Sequence, residues 1–263
     1  MHVIHQSALY LHIAVGFFAL LLFWIPMIAR KGSFNHKRFG RYFVIAMYTI
    51  AASGLLMSGL DLAMPLEIHG LGVELDDAER QRAVSQIRES ALFLFSLSVL
   101  VLTTTRHGSL VIRHKENRQP LRTTLHSALC TSLLLVGLLL LWQARVSGST
   151  LFLIFGLLEV FIATGNLRYS FKKTLQPKEW WIEHLGALIG SGIGAYTAFF
   201  VFGGSRLFNS LFGDAFSDLS IILWIAPGVI GSIAIGLFSR HYRKLFDPDQ
   251  ALKKAQRRAA LFR

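Results

Sequence analysis

The stretch Ala8-Leu9-Tyr10-Leu11-His12-Ile13-Ala14-Val15-Gly16-Phe17-Phe18-Ala19-Leu20-Leu21-Leu22-Phe23-Trp24-Ile25-Pro26-Met27-Ile28-Ala29 decides what kind of chain this is. His12 is its only group that titrates near neutrality. About 20 apolar residues in a helix cross a hydrocarbon core about 30 Å thick, and no core helix of a soluble domain needs so long a run. Met1–Gln6 carries no Lys or Arg, whereas Arg30 and Lys31 follow the run. That polarity is the reverse of a signal peptide, so the segment is expected to stay as a first membrane helix.

Six further segments read the same way: Tyr42–Leu60, Ala91–Thr105, Leu125–Gln143, Thr150–Leu167, Leu185–Phe202 and Leu219–Phe238. A membrane barrel would instead show alternating segments of about ten residues, so the fold class is all-α. Pro26 and Pro227 lie inside spans and suit helices kinked near one end. Of the 263 residues 53% are hydrophobic and 16% charged, with mean hydropathy +0.49, against about 25% charged in an average soluble domain. The soluble, disordered and disulfide-rich classes are excluded. Cys130 is the single cysteine, which rules out an intramolecular disulfide and a thiolate metal cluster.

The net charge of +12 gains meaning from its location. Alternate connections and the carboxy-terminal tail hold 22 of the 27 Lys and Arg against five acids, among them Arg30, Lys31, Arg113, Lys115, Arg168 and Lys172. The other connections hold five basic residues and nine acids. Short loops rich in Lys and Arg stay cytoplasmic. The expected architecture is therefore a seven-transmembrane-helix bundle over 1–240, with the amino terminus outside and the carboxy terminus cytoplasmic. The outer loop, 61–90, is expected to hold an amphipathic surface helix over Asp76–Glu89. The tail, 241–263, places Leu252, Ala255, Ala259 and Phe262 at helical spacing among basic residues. It reads as an amphipathic helix on anionic lipid rather than as a nucleic-acid site. The expected location is a bacterial inner membrane, the bilayer is the main partner, and a second membrane protein is a further candidate.

Candidate chemistry rests on the histidines. His2, His5, His12 and His69 fall on the outer side; His36, His107, His114, His126, His184 and His241 on the cytoplasmic side. His36, His126 and His184 stand at the starts of the even-numbered spans. Three imidazoles at one depth suit a transition metal, and two on facing helices, His126 and His184, suit haem b. Headgroup-bonded interfacial histidines are the alternative, and the expected one for His107, His114 and His241. His12, inside the first span, needs a polar partner. Glu159 is the one acid within a span, where an ionised carboxylate costs at least ~2.5–3.5 kcal/mol. With Asn166 and Ser170 it draws a polar stripe toward the cytoplasmic histidines. Gly186, Gly190 and Gly194 are expected to let the sixth span pack closely. There is no Walker loop, H-E-x-x-H or G-x-S-x-G pattern.

The segment from Lys31 to Tyr42, K-G-x3-H-x3-G-x-Y, follows His12-x-x-x-Gly16 and precedes His184-Leu185-Gly186-Ala187. Together these resemble an uncharacterised family of bacterial multi-pass membrane proteins, a domain of unknown function. The resemblance implies an inner-membrane bundle in which His12, His36, Gly40 and His184 occupy motif positions; it implies no reaction. Three functions follow from the residues. The first is a redox, metal or haem protein using His126 and His184, with His36. The second is a proton-coupled transporter using Glu159, Asn166 and His126, which requires a water-accessible cavity at Glu159. The third is a non-catalytic accessory or assembly subunit.

Overall fold

Residues 1–70, 76–204 and 215–246 are described by a computed structural model, the side chains of 202 and 215–224 excepted. Every regular element among them is helical. They are α1 (His2–Ile28), α2 (Phe34–Ala63), the short α3 (Pro65–His69), α4 (Asp77–His114), α5 (Thr124–Ser147), α6 (Thr150–Phe171), α7 (Glu179–Ala198) and α8 (Ala215–Phe246). A 3-10 turn, Gln119–Arg122, precedes α5, and a π turn, Phe199–Gly203, extends α7. Six helices (α1, α2, α4, α5, α6 and α7) are long and apolar enough to cross a membrane. The seventh expected segment lies within α8. The amphipathic tail helix expected beyond Asp249 lies outside the described residues.

The outer loop differs from expectation. Asp76 caps α4 through a reciprocal box in which the Glu79 amide donates to Asp76 Oδ1 at 2.7 Å and the Asp76 amide to Glu79 Oε2 at 3.2 Å. From there one helix of 38 residues runs through the amphipathic stretch and the third span without a break. Arg88 and Glu89, at the end of the expected amphipathic helix, have good helix propensity, and no Gly or Pro separates them from the span that follows. The helix is about 57 Å long at 1.5 Å per residue, longer than a hydrocarbon core about 30 Å thick, and its first turns are exposed rather than laid across the bundle.

Helix α4 is the axis. It packs against α2 and α7 on one side and carries the α5–α6 hairpin on the other, while α1 covers α2 and α8 covers α7. Two large apolar cores result, beside a small cluster of Val111, Leu121 and Tyr169. Phe93, Leu97 and Leu100 of α4 join Leu133, Leu140, Phe152, Phe155 and Ala163 of the hairpin. Val101 joins Ala19 of α1 and Phe43, Met47 and Ile50 of α2. Large apolar side chains such as Phe161, Trp142 and Ile28 point outward, while Ser96, Thr103, Thr104, Thr105, His107, His126, Glu159 and Asn166 are buried. This inversion suits lipid as solvent, where small and polar residues mediate helix contacts. Close approach depends on other glycines than those of the expected α7 stripe. A Cβ on Gly190 would meet nothing within 4 Å, whereas one on Gly108 would meet Ala187 at 3.1 Å and Leu188 at 3.0 Å.

The basic connections gather at one end. The Arg118 guanidinium donates to the carbonyls of Lys172 and, at 3.1 Å, Lys173. Lys115 lies 5.6 Å from the Trp180 ring centre, and Trp181 stacks against Tyr242 of α8 at 3.9 Å.

Candidate functional site

The α1–α2 turn explains most of the family-like motif. Helix α1 leaves its last carbonyls without intrahelical donors. Lys31 Nζ donates to the carbonyls of Pro26 and Met27 at 2.9 and 2.7 Å, and His36 Nδ1–H to that of Pro26 at 3.0 Å. Gly32 supplies a φ of +78° for the turn, and the Ser33 hydroxyl accepts the His36 amide at the start of α2. Burial pulls the Lys31 ammonium below the ordinary lysine pKa. On α7, His184 Nδ1–H donates to the Gly108 carbonyl at 3.0 Å, reached because Gly108 lets the helices touch. His12 Nδ1–H donates at 2.9 Å to Ser53 Oγ, whose own proton goes to the Thr49 carbonyl at 2.8 Å.

His126 does not join His36 and His184. Its Nε2 lies 3.1 Å from Nδ1 of His107, the rings stacked at 5.3 Å. His107, expected at the interface with headgroups, is instead fully buried. Its Nε2 donates to Glu183 Oε1 at 2.9 Å, and Tyr169 packs edge-on against it at 5.6 Å. Cys130 Sγ is 3.7 Å from His126 Nε2, and the Asn166 amide lies beside that thiol. Among the described residues no group of three or more His, Cys, Asp or Glu side chains is disposed to hold a metal ion. At the opposite end, His5 and His69 flank one oxygen of Asp61 at 3.3 and 3.2 Å, tying α1, α2 and α3 together.

These contacts belong to a ladder between α4, α5 and α6. Ser96, Leu100, Thr103 and His107 share one face of α4, spaced by four, three and four residues. His126, Cys130, Leu133 and Gly137 do so on α5, and Glu159, Ala163, Asn166 and Ser170 on α6. At 3.6 residues per turn this spacing keeps one face. Because α5 runs antiparallel to the other two, the layers match. His107 meets His126; Thr103, Cys130 and Asn166 form the next layer; Leu100, Leu133 and Ala163 follow; Ser96, Gly137 and Glu159 come last. One apolar layer thus separates the histidine pair and its polar neighbours from Glu159. Beyond Glu159, Phe93 packs against Phe155 edge-on at 4.9 Å and against Phe152 at 6.0 Å.

The water-accessible cavity expected at Glu159 is not found. Its side chain is fully buried, and neither carboxyl oxygen has a hydrogen-bond partner. Ser96, the polar group beside it, donates its proton to the Phe93 carbonyl at 2.8 Å. An unpaired anion in such a site would cost several kcal/mol, so Glu159 is held as the neutral acid. Removing an unsatisfied polar group in favour of an apolar one of similar size is neutral or favourable. Glu159→Leu should therefore stabilise the chain by about 1–3 kcal/mol, read as a higher melting temperature in detergent. A drop of several degrees would mean that the carboxyl is paired.

Glu183 leads outward. With Phe161, Thr164, Gly165, Arg168, Tyr169, Lys172 and Glu179 it lines a cleft of about 390 Å³ between α6 and α7, two helices that make no extended contact with each other. An ionised Glu183 only accepts, so His107 Nε2 carries a proton. Neutral His107 then accepts from His126 Nε2–H; if the pair gains a proton at His126 Nδ1, the Nε2 proton passes to His107 Nδ1 and the imidazolium formed there donates back to His126 Nε2. One proton reverses the inter-histidine hydrogen bond without moving a heavy atom. No family model, curated protein or solved structure matches the chain.

Proposed function

We propose that this chain is a proton-coupled carrier of the bacterial inner membrane, binding its solute in the cleft between α6 and α7 and exchanging a proton through Glu183, His107 and His126. The observation that carries this reading is the hydrogen bond between two buried imidazoles, anchored on a carboxylate that lines an open cleft. A histidine pair at the inner end of such a path stores or releases a proton as its partner at the mouth changes charge. The coupling groups are thus Glu183, His107 and His126, and Glu159 stands behind the Leu100–Leu133–Ala163 layer as a closed, neutral site. The proposed topology is seven crossings with the amino terminus outside. It is supported by the gathering of basic turns at one end, which the positive-inside rule assigns to the cytoplasm.

The test is proton flux in vesicles carrying the full chain, under an imposed pH gradient and across a panel of organic solutes. At least one solute should speed collapse of the gradient roughly tenfold, a difference equivalent to about 1.4 kcal/mol in barrier. Glu183→Gln should return the rate to that of protein-free vesicles. Solute-driven flux that survives in Glu183→Gln would refute the assignment.

A second reading, a haem or transition-metal protein, draws on a different feature. His36 and His184 each spend Nδ1–H on a backbone carbonyl, leaving Nε2 as a lone-pair donor, as ligating histidines do. An absorbance spectrum with elemental analysis of the purified protein tests it, and colourless, metal-free protein removes it.

A further inference from the structure

The cleft between α6 and α7 holds one carboxylate that the protein leaves half-used. Glu183 accepts His107 Nε2–H on Oε1 at 2.9 Å, and its second oxygen takes no hydrogen bond from the described residues. The side chain lines the cleft and is 30% exposed. A neutral imidazole donates a hydrogen bond without cancelling charge, so Glu183 remains an uncompensated anion. Glu179, the other carboxylate of the cleft, differs. Lys172 Nζ holds both its oxygens at 2.7 and 2.9 Å, and the Gln176 amide donates to one of them at 2.7 Å.

The surroundings set the sign and the shape of an occupant. The Tyr169 hydroxyl is sealed in the cleft wall, and the charges acting on it are first the carboxylates of Glu183 and Glu179, ahead of Arg118. Arg168 also lines the cleft, but it is exposed and water screens it. Glu183 is largely withdrawn from water, where a charge acts more strongly on a partner. Toward the middle of the bundle the cleft turns apolar. Phe161, two turns along α6 from Tyr169 and so about 12 Å away, is exposed, and a Cβ on Gly165 would meet nothing within 4 Å. The cleft of about 390 Å³ thus joins an anionic wall to an apolar channel, and α6 and α7 make no extended contact that would close it.

We infer that the cleft takes a lipophilic organic amine, its ammonium on the open oxygen of Glu183 and its apolar body along Gly165 and Phe161. The inference deepens the carrier reading and rests on it only for regarding the amine as the transported solute; binding itself does not require flux. The ammonium at Glu183 and a proton on the His107–His126 pair are two positive charges beside one carboxylate. Arrival of the amine therefore favours departure of the proton, and one charge enters for each that leaves.

Isothermal titration of the full chain in phosphatidylcholine nanodiscs, with empty nanodiscs subtracted, tests it. The probes are phenylbutylamine, phenylbutanol and phenylbutyrate, which share a body and differ in charge at neutral pH. One saturable site should hold the amine about tenfold more tightly than the alcohol, as expected of a hydrogen bond to a charged group, and the carboxylate should bind least. Glu183→Gln keeps the shape of the side chain and an oxygen for His107. It should reduce the amine to the level of the alcohol and leave the alcohol unchanged. Phe161→Ala, at an exposed position, should weaken amine and alcohol alike by about threefold through lost apolar contact. Both variants should fold, which their melting temperatures verify. Equal affinity for amine and alcohol, or amine binding that ignores Glu183→Gln, overturns the inference. So does tightest binding of the carboxylate, since Arg168 would then govern the cleft. Amine binding without amine-driven proton flux would leave this inference standing and sink the carrier; flux driven by other solutes, with no amine binding, would do the reverse.

Discussion

Substituting alanine for His107 should destabilise the protein by about 3–5 kcal/mol through the combined loss of packing and hydrogen bonds, while the same change at His114, seven residues along α4, should stay within about 0.5 kcal/mol. His107 is fully buried, whereas His114 is exposed. Alanine would leave a void between α4, α5 and α7 and strip His126 Nε2 of its nitrogen partner. His126 Nδ1 already lacks a hydrogen-bond partner, so the second ring would lose its one close nitrogen contact. Glu183 would suffer less, because its side chain is 30% exposed and the cleft can rehydrate it. The expected reading is a melting temperature lower by roughly 10 °C in His107→Ala and nearly unchanged in His114→Ala. Equal, small shifts would show that the histidine pair contributes nothing to the packing.

The second large effect is expected at Gly137, where α5 and α6 touch through their backbones. A Cβ there would sit 3.1 Å from the Val160 nitrogen, 3.2 Å from the Gly156 carbonyl oxygen and 3.0 Å from the Glu159 Cβ. Gly156 faces back in the same way, 2.9 Å from the Gly137 carbonyl oxygen. Two of these neighbours are main chain, so no rotamer change can make room. Gly137→Val should cost about 3 kcal/mol or more by overpacking and disturb the Glu159 layer, whereas Gly59→Ala, which would meet nothing within 4 Å, should be tolerated. Comparable expression and melting of the two variants would contradict the close contact.

The apolar runs were legible because lipid demands length: six helices are long and apolar enough to cross a membrane, and the seventh expected segment lies within α8. At Asp77–His114 the helical reading of Asp76–Glu89 holds, but that stretch continues the third span as one helix instead of lying separately on the bundle, because no helix breaker stands between them. Partner choice was less visible. His126 was singled out by depth, but depth does not reveal rotation, so His36 and His184 were grouped with it although they face other carbonyls. His107 reads in sequence as an interfacial histidine like His114 and His241, although it is buried. The four-three-four spacing of Ser96, Leu100, Thr103 and His107 was the available signal, and the same spacing on α5 and α6 would have aligned the layers. Glu183 was merely one acid among basic neighbours, and only the contact between α4 and α7 reveals its part. The stripe from Glu159 to Asn166 was read correctly as one face, but an apolar layer crosses it that a list of polar residues cannot display.

The length of α4 has a practical consequence for mapping sidedness. Its first three turns form a largely exposed, charge-rich stalk, and Gln81 on that stalk is exposed, while Cys130, the sole native thiol, is buried. A Gln81→Cys protein would therefore present a single reactive sulfhydryl to bulky maleimides, with no need to remove the native one. Labelling intact cells and then opened ones would report which compartment the stalk faces.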